Sequence, residues 1–411
     1  MNAPRAELLL TGEELVTGKT ADSNGLFLAR KLAAMGLPCL RITLVGDGGA
    51  EITTAAREAL LRADVVIVSG GLGPTGDDLT RPALALALNR PLTTPAPLPE
   101  HRPGALPEGG EQLHNPQGSA AGFWVVTETQ RVLAALPGVP WELETMWPEL
   151  ERRLRAHFPH AVRHALTLRT VGRMERQLDQ EVGRVLTGLS GVEWGVTANP
   201  LAVDLHLTAV DAGTLQDTAR RLRTALGDVV YGEDDTPLAG VVGRLLRERG
   251  WMVATAESCT GGAICAALTA VAGASDYVER TVVSYSNAAK VEALGVPQHL
   301  VDTHGAVSEA VARAMAEGLL GRSHADITLA VTGIAGPGGG TPDKPVGLVF
   351  MAVATADGTF CRGFLHRGDR SRVIARSVTR GLDLLRRALL HGNTGLETHF
   401  PPTPPGQHIS S

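Results

Sequence analysis

Apolar residues follow two alternating patterns along the first ninety residues. Short apolar runs typical of strands alternate with stretches whose apolar positions have helical spacing. The run VVIV at 65–68 lacks polar alternation, as expected of a strand buried on both faces. The alternation predicts an α/β domain built on a parallel sheet. The predicted strands are 6–10, 39–45 and 64–68, and the predicted helices are 24–35 and 51–62.

The pattern changes after residue 90. Proline and glycine are frequent from 91 to 110, which predicts a loop, and 123–136 has the pattern of a hairpin. Residues 165–230 predict a small α+β module. From 234 to about 390 the α/β alternation returns, and the proline-rich tail is predicted to be disordered. We therefore expect three domains and a tail, with the boundaries 1–163, 164–233, 234–392 and 393–411.

Composition narrows the class of protein. The 411 residues include 38 Lys and Arg against 43 Asp and Glu, and a net charge of −5 gives no electrostatic argument for binding nucleic acid. The four cysteines lack the spacing of a zinc site or a disulfide framework, so reduced thiols are expected. No apolar stretch reaches membrane-spanning length, and the N-terminus does not resemble a secretion signal. We expect a soluble cytoplasmic protein without a membrane partner.

Three motifs in the C-terminal part each follow a predicted strand. The first, AESCTGG at 256–262, opens a helix, so the Ser258 hydroxyl lies beside backbone N–H groups that can stabilise an anion. The alternative is that Ser258 or Thr260 only caps the helix. Cys259 is a neighbouring candidate nucleophile, and the residues alone do not decide between it and Ser258.

The second motif, SYSNAAK at 284–290, places Lys290 in the first turn of a helix for which Asn287 is the expected N-cap. A cation there opposes the helix dipole, which lowers the pKa of Lys290, and a neutral lysine can act as the base for a serine. An ordinary surface lysine is the alternative. The third motif, TGIAGPGGGT at 332–341, also leaves a strand, and ligands of parallel sheets bind beyond the carboxyl ends of the strands.

These motifs, with HGAVS at 304–308 and HRGDR at 366–370, resemble the C-terminal domain of the CinA family. That domain is similar to nicotinamide mononucleotide deamidase, so the resemblance implies hydrolysis of the nicotinamide carboxamide to nicotinic acid mononucleotide and ammonia, without a cofactor. It also implies Ser258 as the nucleophile, Lys290 as its general base and Tyr285 as an assisting residue. Arg370 is the expected partner of the substrate phosphate, with a salt bridge at the helix start as the alternative. The implied substrate-binding residues are Thr260, Gly261, Gly262, Thr332, Gly333, Gly336 and Arg370.

A fourth motif, GGLGPTGDDLT at 70–80, follows the 64–68 strand. Backbone N–H groups of such a loop cradle phosphate, and Asp77 and Asp78 offer the oxygen ligands that hard divalent metals prefer. The alternative is that Asp77, Asp78 and Thr80 cap a helix. With LPGVPWELETM at 136–146, the motif resembles the N-terminal domain of the CinA family, which is similar to the molybdopterin-binding fold of MogA and MoaB.

This second resemblance implies a three-layer α/β domain linked to a metal-dependent ADP-ribose pyrophosphatase. Asp77 and Asp78 are the implied ligands of a divalent metal of the Mg, Co or Mn type. The module at 165–230 is similar to the family's KH-type linker, and it lacks the GXXG loop used for RNA. A homodimer that binds small nucleotides is expected. The implied nucleotide contacts are Gly70, Gly71, Gly73, Thr75, Asn115 and Gly138.

Three functional hypotheses follow. The first is an enzyme of pyridine-nucleotide salvage with both activities, and the second is a deamidase whose N-terminal domain binds or dimerises. The third is a non-enzymatic accessory protein in competence or DNA damage, against which the intact serine and lysine motifs argue. The segment 91–113, proline-rich and shorter than the family pattern, separates the first hypothesis from the second. Molybdopterin binding is a fourth hypothesis, based on fold analogy alone.

Overall fold

The structure is a computed structural model of the chain and describes residues 4–94, 104–159, 164–198, 202–399 and 409–410. Among the described residues, no helix is both long enough and apolar enough to cross a bilayer. Helices α1 to α13 are Glu13–Val16, Asn24–Ala34, Gly49–Arg62, Thr80–Ala87, Pro140–His157, Glu175–Leu186, Ala212–Leu226, Leu238–Arg249, Ala263–Thr269, Asn287–Leu294, Gln298–His304, Glu309–Leu320 and Arg370–His399. Strands β1 to β18 are Ala6–Thr11, Cys39–Val45, Val65–Ser69, Leu92–Thr93, Leu106–Pro107, Glu111–Leu113, Gly122–Val126, Val132–Leu136, His164–Thr170, Val192–Ala198, Val203–Ala209, Val230–Glu233, Val253–Glu257, Val278–Val283, Ile327–Gly333, Leu348–Thr355, Gly358–Leu365 and Ile409–Ser410.

The chain divides into two compact units. The first consists of Met1–Ala165 with Thr208–Leu215, and the second of Leu166–Leu207 with Gln216–Ser411. Most of the predicted linker module therefore shares a unit with the predicted C-terminal domain. The three-domain boundaries stay predictions.

A six-stranded sheet in the order β2-β1-β3-β8-β7-β6 lies at the centre of the first unit. Val65 and Ile67 of β3 pack in one core with α2 and α5, whereas Val66 and Val68 pack in a second core with α3 and α4. Because alternate residues of a strand face opposite sides, helices cover both faces of the sheet. The three-layer α/β prediction is confirmed, as is the predicted burial of β3 on both faces.

The first sheet is mixed, however, and the expectation of a parallel sheet holds only for part of it. Strands β2, β1, β3 and β8 pair in parallel, whereas β7 pairs antiparallel with β8 and β6 antiparallel with β7. The hairpin predicted over 123–136 produces this reversal, since its turn is too short for a parallel crossover.

Four strands and two helices form the small module. The sheet order is β10-β11-β9-β12, with α6 and α7 in the chain between the strands. Strands β9 and β12 pair antiparallel, with Val230 opposite Thr170. The predicted α+β content is confirmed, although the sequence pattern did not predict β10 and β12.

The C-terminal sheet has the order β14-β13-β15-β16-β17-β18. Strands β14, β13 and β15 are parallel, and β16 and β17 each run antiparallel to the strand before them. Val253 and Leu329 lie in a core with α8, α9 and α13, whereas Ala254 and Ala330 lie in a core with α12. The sequence pattern did not predict β17, and this sheet too is mixed rather than parallel.

The helical structure continues past residue 392, where we predicted a disordered tail. Gly392 has a φ of 71° and interrupts α13, but 393–399 are helical again. Leu396 is fully buried in the core with α8, and Asn393 donates to the Gly358 carbonyl at 2.6 Å. These contacts stabilise a segment whose composition is otherwise typical of a tail. The predicted tail residues 400–408 and 411 lie outside the described residues.

An ionic junction joins α13 to the segment after α7. The buried carboxylate of Asp383 accepts from Arg386 at 2.7 Å and from Arg387 at 3.0 Å. Arg386 also donates to the Asp228 carbonyl at 2.5 Å, and the Asp228 carboxylate lies 2.7 Å from Nε2 of His391. The two guanidinium groups are less than a tenth exposed, so they depend on both aspartates for their hydrogen bonds.

Candidate active site

Parallel pairing brings the three C-terminal motifs to one edge of the sheet. Glu257, the last residue of β13, lies level with Val283 of β14 and Val331 of β15. The Ser258 N–H donates to the Val331 carbonyl at 3.0 Å, and the Ser284 N–H donates to the Glu257 carbonyl at 2.8 Å. The backbone ladder thus extends into the motifs, and the expected convergence at the carboxyl ends of the strands is confirmed.

Ser258 and Lys290 form a buried pair at this edge. The Lys290 Nζ lies 3.0 Å from the Ser258 Oγ and donates to the Ser284 carbonyl at 2.8 Å. Lys290 is 1% exposed and Ser258 7%. Burial lowers the pKa of Lys290 below its usual value, while the neighbouring Cys259 acts in the opposite direction. The burial of Lys290 excludes the alternative of an ordinary surface lysine. Among the described residues no carboxylate lies within ion-pair distance of the amine.

The start of α10 differs from the prediction by one residue. Ser286, rather than Asn287, is the N-cap, and its Oγ accepts from the Ala289 N–H at 3.1 Å. Asn287 is instead the first helical residue. Lys290 still lies in the first turn, with its N–H on the Ser286 carbonyl at 3.2 Å. The position is electrostatically unfavourable for a cation, which acts in the same direction as burial.

Glu257 is the residue that our sequence analysis missed. Its carboxylate is fully buried. Oε2 accepts from the N–H groups of Gly262 at 3.0 Å and Ile264 at 3.1 Å, and Oε1 accepts from the Cys265 N–H at 2.9 Å and the Thr255 hydroxyl at 3.2 Å. The carboxylate thus caps α9 from the preceding strand. Its position directly before a turn and a helix start was a signal for such a cap.

This cap changes the expected oxyanion site. We expect N–H groups near 260–262, or that of Gly333, to stabilise the anion, but the Gly262 N–H is bound to Glu257 and the Gly261 N–H donates to the Ser258 carbonyl at 3.1 Å. Thr260 differs, because neither its N–H nor its buried hydroxyl donates to any acceptor among the described residues. Gly262 has a φ of 97°, a left-handed conformation that favours glycine, so its identity is explained by the turn.

Cys259 is poorly suited to be the nucleophile. Burial raises the pKa of its thiol to about 12, although the positive charges of Lys290 and Arg370 act in the opposite direction. The thiolate is the reactive form of cysteine, and at neutral pH this thiol stays protonated. The geometry therefore favours Ser258.

Tyr285 contacts Arg370 rather than the buried pair. The Tyr285 side chain is 60% exposed, and its hydroxyl accepts from an Arg370 N–H at 2.7 Å. Arg370 also donates to the Gly336 carbonyl at 2.9 Å. The guanidinium therefore links the second and third motifs. The alternative salt bridge is absent among the described residues, since Asp369 pairs instead with Arg372 at 3.8 Å.

Thr332 and Gly333 make packing contacts beside the site. The Thr332 hydroxyl is buried and donates to the Ala306 carbonyl at 2.8 Å, which holds the turn before α12. A Cβ on Gly333 would lie 2.6 Å from the Val349 side chain, so close packing against β16 accounts for this glycine. Their predicted contacts with a substrate stay predictions.

The first unit contains a cavity of about 570 Å³ at the carboxyl ends of β1, β3 and β8. Gly70 adopts a φ of 111°, and a Cβ there would lie 2.4 Å from the Thr11 carbonyl oxygen. None of the lining residues, all of which are described, is basic. Those that we predicted as site residues are Gly70, Gly71, Gly73, Gly138, Asp77 and Asp78, and the lining also includes Glu14, Asp47, Trp141 and Glu142.

Two residues predicted to contact the nucleotide do not line this cavity. Asn115 is 1% exposed and donates to the Ala120 carbonyl at 3.0 Å and to Glu142 at 2.7 Å. Its amide thus organises a loop and orients the Glu142 carboxylate. The N–H and hydroxyl of Thr75 both donate to Asp78, so they close a local turn. Asn and Thr side chains are suited to ligand contacts, but these two form hydrogen bonds with nearby groups instead.

The expected divalent metal finds no preformed centre in the first unit. Asp78 is bound by Thr75, and across the described residues no group of three or more His, Cys, Asp or Glu side chains is arranged to hold a metal ion. The residues do not fit a metal centre held by protein ligands alone. Nor do Asp77 and Asp78 cap α4 through their side chains, since its N-cap is Leu79.

Comparisons with known proteins agree along most of the chain. Residues 235–389 match the family described as CinA C-terminal domain, and residues 7–156 match the probable molybdopterin binding domain. A CinA-like protein of Gemmatimonas aurantiaca is 38% identical over 93% of this chain and 96% of its own length. A CinA-like protein of Synechococcus is 42% identical over 93% of this chain and 98% of its own. The competence/damage inducible protein CihA from Agrobacterium tumefaciens, a solved structure, is 44% identical over 37% of this chain and 93% of that chain, with a TM-score of 0.36.

Proposed function

The chain belongs to the CinA family, and on this premise we propose that its C-terminal domain hydrolyses the carboxamide of nicotinamide mononucleotide. The observation that carries the proposal is the buried contact of 3.0 Å between the Lys290 Nζ and the Ser258 Oγ. A serine hydroxyl is a weak nucleophile at its ordinary pKa and needs an adjacent base. A lysine whose pKa burial lowers is such a base.

The attack begins with neutral Lys290. The Ser284 carbonyl accepts one amine hydrogen at 2.8 Å, which orients the lone pair of Nζ toward Ser258. As the Ser258 Oγ bonds to the amide carbon, its proton passes to Lys290, and the carbonyl oxygen of the substrate becomes an oxyanion. The N–H of Thr260, which has no acceptor among the described residues, is the candidate donor to that oxyanion.

Collapse of the tetrahedral intermediate completes the first half of the reaction. Protonated Lys290 returns its proton to the leaving nitrogen, and ammonia departs with the electrons of the broken C–N bond. Water then attacks the acyl-enzyme with Lys290 again as the base, which releases nicotinic acid mononucleotide and restores Ser258. This route requires no metal or organic cofactor from the protein.

The test is ammonia release from nicotinamide mononucleotide, measured for the full chain with a chelator present. We expect metal-independent release by the wild type, and a loss of about a thousandfold or more in Ser258→Ala. Cys259→Ala is the matched control, since it alters the adjacent buried residue, and it should retain activity. Loss of activity in Cys259→Ala with retention in Ser258→Ala would reverse the assignment of the nucleophile. No release by folded wild type would refute the deamidase and favour an accessory role.

The cavity of the first unit supports a second proposal, which is nucleotide binding there. Glycine loops give close access to backbone N–H groups, which bind phosphate. The acidic lining would repel a polyphosphate unless cations neutralise it, so binding should depend on added divalent metal. The test measures the binding of ADP-ribose and, separately, the hydrolysis of ADP-ribose, each with Mg²⁺, Mn²⁺ or Co²⁺ and with a chelator. Equal binding under both conditions would contradict the metal dependence, and no binding under either would contradict the proposal. The expected homodimer stays a prediction.

A further inference from the structure

We propose that Tyr285 is a positioning residue that holds Arg370 for the phosphate of the substrate, and that it takes no part in proton transfer. The inference rests on the proposed function and deepens it, because it assigns the selection of a nucleotide over its nucleoside to this pair. The observation is the chain of contacts from the Tyr285 hydroxyl to Arg370 at 2.7 Å and from Arg370 to the Gly336 carbonyl at 2.9 Å.

Arg370 occupies a place that helix stability does not explain. It is the first residue of α13, where a cation opposes the helix dipole. The cap of this helix is Asp369, whose carboxylate accepts from the Arg372 N–H at 2.9 Å. Arg370 has no carboxylate partner among the described residues, and its two acceptors, the Tyr285 hydroxyl and the Gly336 carbonyl, are both uncharged. A guanidinium in that state keeps a full positive charge for an anion.

The two acceptors fix the direction of the guanidinium. The Tyr285 hydroxyl and the Gly336 carbonyl are bound by different terminal nitrogens of Arg370, so they hold its plane from both sides. A guanidinium has five N–H donors in a planar fork, and three remain after these two contacts. Phosphate oxygens bind such a fork in pairs. Prior orientation lowers the entropy that the side chain loses when the phosphate binds.

The location of Tyr285 separates it from proton transfer. Its hydroxyl is bonded to Arg370 and its side chain is 60% exposed, whereas Lys290 and Ser258 are 1% and 7% exposed. The Lys290 amine contacts the Ser258 hydroxyl and the Ser284 carbonyl. Removal of the tyrosine hydroxyl should therefore weaken binding of the phosphate without altering the base.

The test compares nicotinamide mononucleotide with nicotinamide riboside, which lacks the phosphate. Ammonia release is measured for wild type, Tyr285→Phe, Arg370→Ala and the double variant as a function of pH. For the nucleotide we expect KM to rise about tenfold in Tyr285→Phe, kcat to stay unchanged and the pH profile to keep its midpoint. For the riboside, Tyr285→Phe should equal wild type. In the double variant KM should equal that of Arg370→Ala, since the tyrosine acts through the arginine.

Two results would overturn the inference. One is a fall in kcat of Tyr285→Phe with both substrates together with a shifted pH profile, which would place the tyrosine in proton transfer. The other is additivity of the two substitutions in KM. Calorimetric binding of nicotinamide mononucleotide to Ser258→Ala, with and without Tyr285→Phe, keeps this inference separate from the deamidase proposal. Weaker binding in the tyrosine variant, with no turnover by wild type, would support the phosphate subsite while refuting the deamidase.

Discussion

Replacement of Glu257 by glutamine tests whether the buried carboxylate holds the turn at 258–262, which carries the proposed nucleophile Ser258. The carboxylate accepts three backbone N–H groups and one hydroxyl through two oxygens. A glutamine has one acceptor oxygen. If that oxygen takes the place of Oε2 and keeps the bonds to Gly262 and Ile264, the new NH₂ group faces the Cys265 N–H, donor against donor.

The expected loss of stability follows from these contacts. One orphaned buried N–H costs about 1–3 kcal/mol, and two bonds that lose a charged acceptor cost roughly 1 kcal/mol more together. Relief from burying a charge offsets part of this sum. We expect Glu257→Gln to lower the free energy of unfolding by about 2 kcal/mol. Ammonia release should fall as well, because Ser258 is the next residue.

Calorimetry and urea denaturation of the full chain measure this effect. The matched control is Glu309→Gln on α12, where the carboxylate is 54% exposed and pairs with Arg313 at 2.9 Å. An exposed pair of this kind contributes less than about 1 kcal/mol. If the free energy of unfolding of Glu257→Gln lies within about 1 kcal/mol of that of the control, the carboxylate does not hold the turn at 258–262.

Three further predictions concern the same unit. Because burial lowers the pKa of Lys290, the rate of ammonia release should rise with pH, and the midpoint of that rise should lie below 10.5. Lys290→Arg should be inactive, since a guanidinium does not become neutral. Thr260→Val should be at least as stable as wild type to heat because no protein hydrogen bond is lost, whereas Thr328→Val, which loses a bond of 2.8 Å to the Ala316 carbonyl, should be about 1 kcal/mol less stable. Burial, with Arg380 and Arg376, lowers the pKa of His366 from 6.5 to about 4. Between these values only the unfolded state takes up the proton, so the free energy of unfolding falls as the pH drops from 6.5 to 4. In acid unfolding curves the wild type should lose about 3 kcal/mol over this range relative to His366→Gln.

The sequence predicted best those elements whose pattern of apolar residues is explained by burial alone. The run at 65–68 is apolar throughout because two helical layers cover β3, and no other arrangement suits four consecutive β-branched residues as well. Strand β17 was missed because Arg362 and Gly363 interrupt its apolar pattern. A signal existed in Asp357 and Gly358, a dipeptide typical of hairpin turns, which also explains why β16 and β17 are antiparallel.

The candidate site was predictable to the level of motifs but not of contacts. Ser258 and Lys290 are 32 positions apart, and only the parallel order β14-β13-β15 brings them to hydrogen-bonding distance. The roles of Glu257 and Asn115 depend on which backbone N–H groups and carbonyls lie within reach once the turns have formed. The predicted nucleotide contacts of Asn115 and Thr75 stay predictions, and both side chains form hydrogen bonds within their own loops.

The ionic junction on α13 bears on how this protein can be divided for experiments. Arg370 begins the helix, and Arg386 and Arg387 lie 16 and 17 residues further along, about 24 Å away at 1.5 Å per residue. A fragment that starts at residue 234 would lack Asp228 and would leave Arg386 and Arg387 with Asp383 as their shared carboxylate. That charge imbalance lies at the far end of the helix that carries Arg370. A fragment that keeps the junction must therefore include Asp228 together with α13.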